Sequence, residues 1–205
     1  MRVEVDAAAV DEVFKSITKD FRKQAALPGF RPGKAPEHLV VKKYESEIND
    51  EVKRKLIGDS YKKAIEEIKQ RLRNTSGIIP RMATVAAVLK NTLPYFFWCG
   101  FYFAEEEELV IGPYQGSSAC ANIAYSGVCG TAAKREETVV VPDVHKFPGH
   151  IACDDSSKSE IVVPLKDEDD RVIAVFDVDA TTVNAFDKTD NTFLEEIIPI
   201  VLEKS

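Results

Sequence analysis

Residues 159–179 read SEIVVPLKDEDDRVIAVFDVD: an apolar run, a charged break at Asp167–Asp170, and a second apolar run that closes on two acids. Runs rich in valine and isoleucine on either side of a short charged break predict two antiparallel strands, 159–165 and 171–178, joined by a hairpin turn. The period of two along a strand places Asp177 and Asp179 on one face. Paired carboxylates at the end of a run as apolar as Val172 to Phe176 are costly to bury unless a cation or strong donors meet them. A metal and a substrate ammonium are two answers, and a solvated strand end is a third. Glu160, at the start of the first strand, is a further candidate acid.

Working outward, short apolar runs bounded by turns recur at 96–103, 108–112 and 138–141, and 190–202 reads as a closing helix. Long loops fall at 113–137 and 142–158. This half is α+β, with a mainly antiparallel central sheet flanked by helices. Toward the N-terminus the signature is different. Residues 2–6 alternate like a short strand, and Asp6 can cap a helix whose Val10, Val13, Phe14, Ile17 and Phe21 keep a period near 3.6. Two prolines and two glycines between Leu27 and Lys34 stop that helix in a rigid exposed loop. Pro36 is expected in the first turn of the next helix. A longer one covers roughly 47–73, with Gly58 as a point of interruption, and another runs from Arg81 to about Leu93. The chain thus divides into a mostly helical arm, 1–59, and an α+β domain, 60–205.

Charge follows the same division. Residues 1–58 carry 12 basic and 10 acidic groups, net +2, leaving 15 and 24, net −9, for the rest. Residues 15–43 alone hold eight Lys and Arg against two acids. The overall charge of −7 argues against nucleic-acid binding by the molecule as a whole. No apolar stretch of membrane-spanning length occurs, and the first residues lack a secretory pattern, so a cytoplasmic location without membrane partners is expected.

Four cysteines in a reducing compartment read as thiols or transient disulfides. Cys120-x8-Cys129-x23-Cys153 matches neither a zinc finger nor a C-x-x-C redox pair. Cys153 lies in a polar loop, where exposure suits a nucleophile, although Asp154 and Asp155 disfavour its thiolate unless His150 or backbone N–H groups offset them. An inert loop thiol is the alternative. Cys129, between Gly127 and Gly130, and Cys120 read as resolving thiols or as small buried hydrophobes. Cys99, between Trp98 and Gly100 in an apolar run, reads as core.

Trp98-Cys-Gly-Phe-Tyr102, Gly112-Pro-Tyr-Gln-Gly116, Ala119-Cys120, Gly127-Val-Cys-Gly-Thr-Ala-Ala133, Val141 to Asp154, Ser159 to Pro164 and Val175 to Asp179 together resemble the free methionine-(R)-sulfoxide reductases, a branch of the GAF-domain fold. The resemblance runs from about residue 60 to the end. It implies that Cys153 attacks the sulfoxide, with Cys129 and Cys120 as the remaining redox cysteines. It also implies that Trp98 and Tyr102 wall the pocket and that Glu160, Asp177 and Asp179 line the substrate site. Three carboxylates suit the α-ammonium of a free amino acid, and one acid can protonate the departing oxygen. A thioredoxin-like reductant and a homodimer are implied, with neither metal nor organic cofactor. The loop between Cys120 and Cys129 departs from the family pattern: it is about one residue shorter, and no basic residue precedes Gly127-Val-Cys-Gly130.

Residues 2–65, with Gly29-Phe-Arg-Pro-Gly-Lys34 at their centre, resemble the ribosome-binding arm of the chaperone trigger factor. Carried over by position, the ribosome contacts are Phe30, Arg31 and Lys34; one aromatic wedge and two cations suit a protein–RNA surface. The chaperoning and prolyl-isomerase parts of that family have no counterpart here, so the segment reads equally as a helical extension that packs on or dimerises the second domain. Two other readings of the chain stand beside the reductase. One is a GAF-type ligand-binding or redox-sensing module; the other is a ribosome-associated interaction protein without catalysis.

Overall fold

The computed structural model describes residues 7–151 and 153–203. The short strand expected at 2–6 and the Asp6 cap lie outside the described residues. The chain separates into two compact units, Met1–Ser60 and Tyr61–Ser205.

The first unit holds helix α1 (Ala7–Gln24), helix α2 (Glu37–Lys43) and the start of helix α3 (Glu45–Leu72). Between α1 and α2 the chain makes two tight turns, closed by Phe30 N–H to Leu27 O and by Lys34 N–H to Arg31 O. Phe30, Arg31 and Lys34 are all exposed at this tip. Behind it Ala25, Ala35 and Val40 are buried, with Phe21, Leu27 and Tyr44 packed on them. Pro36 sits one residue earlier than expected, at the N-cap of α2, where its missing N–H costs nothing. Gly58 does not interrupt α3, because a single interior glycine costs a helix only about 1 kcal/mol.

The second unit begins with the rest of α3 and helix α4 (Ile78–Thr92). Pro80 lies in the first turn of α4, which therefore starts before Arg81. Strands β1 (Trp98–Ala104), β2 (Glu108–Gln115) and β3 (Asn122–Ala124) follow, then helix α5 (Val128–Arg135) and β4 (Val139–Val141). Strands β5 (Ser159–Lys166) and β6 (Val172–Ala180), helix α6 (Lys188–Ile197) and a short 3-10 turn to Leu202 complete it. All neighbouring strands pair antiparallel, in the order β3-β2-β1-β6-β5-β4. The expected 113–137 loop thus contains β3 and α5. Both are short, and a helix of eight residues written VCGTAAKR carries too few large apolar side chains to show a period.

One face of the sheet packs on α4, where the buried Cys99 thiol donates to Ala86 O at 3.5 Å. On the other, Trp98, Tyr102, Val162 and Val175 form a core with Val128, Cys129, Ala132 and Ala133 from α5. Arg81 is buried and donates to the carbonyls of Leu72, Thr75, Ile200 and Val201, satisfying chain ends that would otherwise lose their partners. Tyr61 and Tyr95 both donate to Asp190, which also accepts from Asp187 N–H in a capping box. Among the described residues no helix is long and apolar enough to cross a membrane.

Candidate active site

The strand register decides which side chains meet. Trp98 pairs with Asp179 and Asp179 with Glu160, forming one rung across β1, β6 and β5. The next rung on that face is Gly100, Asp177 and Val162, and the next Tyr102, Val175 and Pro164. Two acids two residues apart on β6 and one on β5 are therefore brought to the same face with two aromatic rings of β1. They line a pocket open to solvent together with Cys129, His150 and Cys153.

Gly100 and Gly116 make room for the aromatic wall. A Cβ on Gly100 would stand 2.7 Å from the Trp98 ring, and one on Gly116 would stand 2.6 Å from it. The ring fits that slot, stacks on Tyr114 at 5.5 Å and lies 6.0 Å from Tyr102. Its indole N–H donates to Ser117 O, and Tyr102 donates to Cys120 O. Both rings thus hold the loop that carries Cys120.

The three redox candidates occupy two distinct environments. Cys120 and Cys153 are joined in a disulfide with a Cα separation of 5.5 Å, Cys120 half-buried and Cys153 exposed. Ser117 Oγ also donates to Asp154 Oδ2 at 2.8 Å, so two bonds, one covalent and one not, tie the same pair of loops. Cys129 is a buried free thiol in the first turn of α5, with Sγ 3.7 Å from Glu160 Oε1. It is fixed there by Gly130, where a Cβ would come within 2.3 Å of the Tyr125 backbone. Burial, then the charges of Asp177 and Glu160, push the Cys129 thiol well up from its ordinary pKa.

The acids are the electrostatic core. Glu160 and Asp177 are 5% and 7% exposed, and Asp177 Oδ1 has no hydrogen-bond partner among the described residues. Burial first, then the charges of the other acids, raises the pKa of both well above the carboxylate range. Asp179 is pushed up to about 6 by burial, with a hydrogen bond from Ser157 pulling the other way. His150 Nε2 lies 3.8 Å from Glu160 Oε2, and burial holds its pKa down. Asp154, by contrast, is held below its usual value by hydrogen bonds from the Ser156 N–H and from Ser117. Among the described residues no lysine or arginine lines the cavity, and His150 is the basic side chain nearest its floor. The group Cys129, Glu160 and Asp177, with ligand atoms all within 4.8 Å of one another, could hold a metal ion.

Every residue that the sequence nominated for the reductase site lines this cavity, apart from Cys120, whose loop forms its rim through Ser117, Ser118 and Ala119. The nominated tip residues Phe30, Arg31 and Lys34 belong to the first unit. Ser117, Ser157 and the half-buried Ile151 were not nominated. Serines in Gly-rich loops give no signal of their own, and only the register of neighbouring acids could have pointed to Ser157.

Comparison with known proteins finds relatives for both parts of the chain. A family model described as GAF domain matches residues 82–201, and one described as bacterial trigger factor protein matches residues 1–92. The chain is 40% identical over 124 residues to the free methionine-R-sulfoxide reductase of Escherichia coli, covering 60% of this chain and 74% of that one. The X-ray structure of free methionine-R-sulfoxide reductase from Neisseria meningitidis in complex with its substrate superposes with a TM-score of 0.66. There the identity is 40%, over 69% of this chain and 85% of that one. The chain is also 36% identical over 67 residues to trigger factor of Opitutus terrae, 33% of this chain but 15% of that protein.

Proposed function

The chain belongs to the GAF-domain family of free methionine-R-sulfoxide reductases, and we propose that it reduces free L-methionine-(R)-sulfoxide to methionine with Cys153 as the attacking thiol. The observation that carries this reading is the placement of three carboxyls on adjacent rungs at the floor of a cavity whose rim holds Cys153. An α-ammonium meets that floor, and a residue inside a polypeptide has no such group. Asp179, with a pKa near 6, is ionised at neutral pH and is the first partner of the ammonium. Glu160 and Asp177 hold protons longer and are the donors to the sulfoxide oxygen. The N-terminus of α5, whose Gly127 and Val128 line the cavity and which has no side-chain cap, offers N–H groups to the α-carboxylate. Trp98 and Tyr102 face the thioether end.

In the first step the Cys153 sulfur takes the oxygen, giving methionine and a Cys153 sulfenic acid. The Cys120 thiol then displaces that oxygen as water, forming the Cys120–Cys153 disulfide, and an external dithiol of the thioredoxin class reduces it. The pairing seen here supports Cys120 as the resolving thiol, and Cys129 then acts on the acid floor instead.

The test follows free methionine formed from each sulfoxide epimer in the presence of a dithiol reductant. Turnover of the R epimer, lost in Cys153→Ser, is expected. Equal turnover by the variant, or equal rates on peptide-bound methionine sulfoxide, would overturn the reading. A homodimer, expected from the family, is checked by light scattering of the full chain.

For the first unit we propose docking to the ribosome through the exposed Phe30, Arg31 and Lys34. Support comes from the trigger factor match over residues 1–92. Co-sedimentation with ribosomes that persists after all three are changed to alanine would refute it.

A further inference from the structure

We propose that Cys129, Glu160 and Asp177 form a three-ligand binding site for a thiophilic divalent cation of the zinc class, with a water as fourth donor. The ligand atoms of the three lie within 4.8 Å of one another. Cys129 Sγ is 3.7 Å from Glu160 Oε1. A tetrahedral ion with sulfur at about 2.3 Å and oxygen or nitrogen at about 2.0 Å holds neighbouring donors roughly 3.3–3.5 Å apart. A contraction of well under an ångström brings the Cys129–Glu160 contact to that spacing.

A second observation points to a ligand independently. Asp177 is 7% exposed, yet its Oδ1 has no partner among the described residues, and the residue lines the cavity. A buried carboxylate oxygen without a donor is satisfied by a cation. One thiol and two carboxyls form a mixed donor set that suits zinc or cobalt and not magnesium or calcium, which take oxygen alone. On binding, the metal–sulfur bond forms as the Cys129 thiol proton leaves to solvent, and no electron moves. The cation occupies Glu160 and Asp177, the two acids assigned to the sulfoxide oxygen, so metal and sulfoxide exclude one another. That exclusion rests on the proposed amino-acid substrate; the metal site itself does not.

The experiment uses the full-length protein with its Cys120–Cys153 disulfide intact, so that neither of those sulfurs can ligate. Cobalt(II) is titrated in while the thiolate-to-cobalt charge-transfer band is followed, and zinc(II) is then added in competition. One cobalt per chain with that band, bleached by zinc, is expected. The band should vanish in Cys129→Ser, and affinity should fall at least about tenfold in Asp177→Asn. Binding without the band, or a band that survives in Cys129→Ser, overturns the site. Far-UV circular dichroism checks that variant's fold, and Glu160→Gln, also expected to weaken binding about tenfold, replaces it if it does not fold. Free methionine-(R)-sulfoxide, which the disulfide-locked protein cannot reduce, should bleach the band; a band that persists at saturating sulfoxide overturns the exclusion. None of these readouts needs turnover, so a protein inactive on the sulfoxide still tests the metal site.

Discussion

Cys129 directs its thiol at Glu160, with Sγ 3.7 Å from Oε1, while Cys120 and Cys153 are bonded to each other. The first prediction follows from this division. After one turnover without reductant, Cys129→Ser still forms the Cys120–Cys153 disulfide, whereas Cys120→Ser leaves a Cys153 sulfenic acid that dimedone traps. Steady-state turnover falls on the order of tenfold or more in Cys120→Ser, because resolution then awaits an external thiol. Mass spectrometry of the quenched protein reads both outcomes.

Asp179 gives a pH prediction. Its pKa, raised from 3.8 to about 6, means that it is neutral at pH 5 and charged at pH 7.5. KM for the sulfoxide therefore falls as pH rises through 6, and Asp179→Asn loses that dependence. Removing one charged hydrogen bond to the ammonium costs about 1.5–3 kcal/mol, an increase in KM of roughly 10- to 100-fold. Initial rates between pH 5 and 8 measure it.

The same shift has a stability consequence with a definite sign. A carboxyl whose pKa rises on folding favours the folded state fully below pH 3.8, and that favour is lost as pH rises through 6. Asp179→Asn should therefore gain on the wild type across that window, by at most about 3 kcal/mol, and keep the gain above it. Urea unfolding at pH 4 and pH 8 supplies the comparison.

Ser117→Ala removes the hydrogen bond to Asp154 that ties the two thiol-bearing loops. Disulfide closure should slow by about fivefold, equivalent to the roughly 1 kcal/mol of one hydrogen bond, with a smaller effect on first-turnover methionine release. Rapid-quench analysis separates the two steps.

Gly130→Ala drives a Cβ into the Tyr125 backbone, 2.3 Å away. The first turn of α5 must shift, costing about 1–3 kcal/mol and moving Cys129 off Glu160. A lowered Tm together with weaker cobalt binding is expected.

The hairpin from Ser159 to Asp179 was legible because valine, isoleucine and a charged break leave one reading, and period two put Asp177 beside Asp179. Glu160 joined them only through cross-strand register, which a single run does not contain. The sequence offered both Cys120 and Cys129 as partners for Cys153 and could not choose between them: the two loops meet because β3 and α5 fold the intervening chain back, and neither element has enough apolar side chains to announce itself. Trp98 and Tyr102 were nominated by resemblance, and their wall depends on Gly100 and Gly116, whose lack of a side chain gives no hint of what fills the space.

The acids and the aromatic wall are laid out by the hydrogen-bond ladder of β1, β6 and β5, while the sulfurs of Cys120 and Cys153 ride on loops. A slip of one residue between β6 and β1 would send all of β6's acids to the α4 side at once, and no choice of rotamer could restore them. Selectivity for the substrate is therefore as durable as the sheet, and heat or denaturant should abolish it only with global unfolding. The loops answer to a different clock. In the proposed cycle their two sulfurs part and meet at every turnover, so ageing or oxidative damage in this protein should silence turnover long before it blurs recognition.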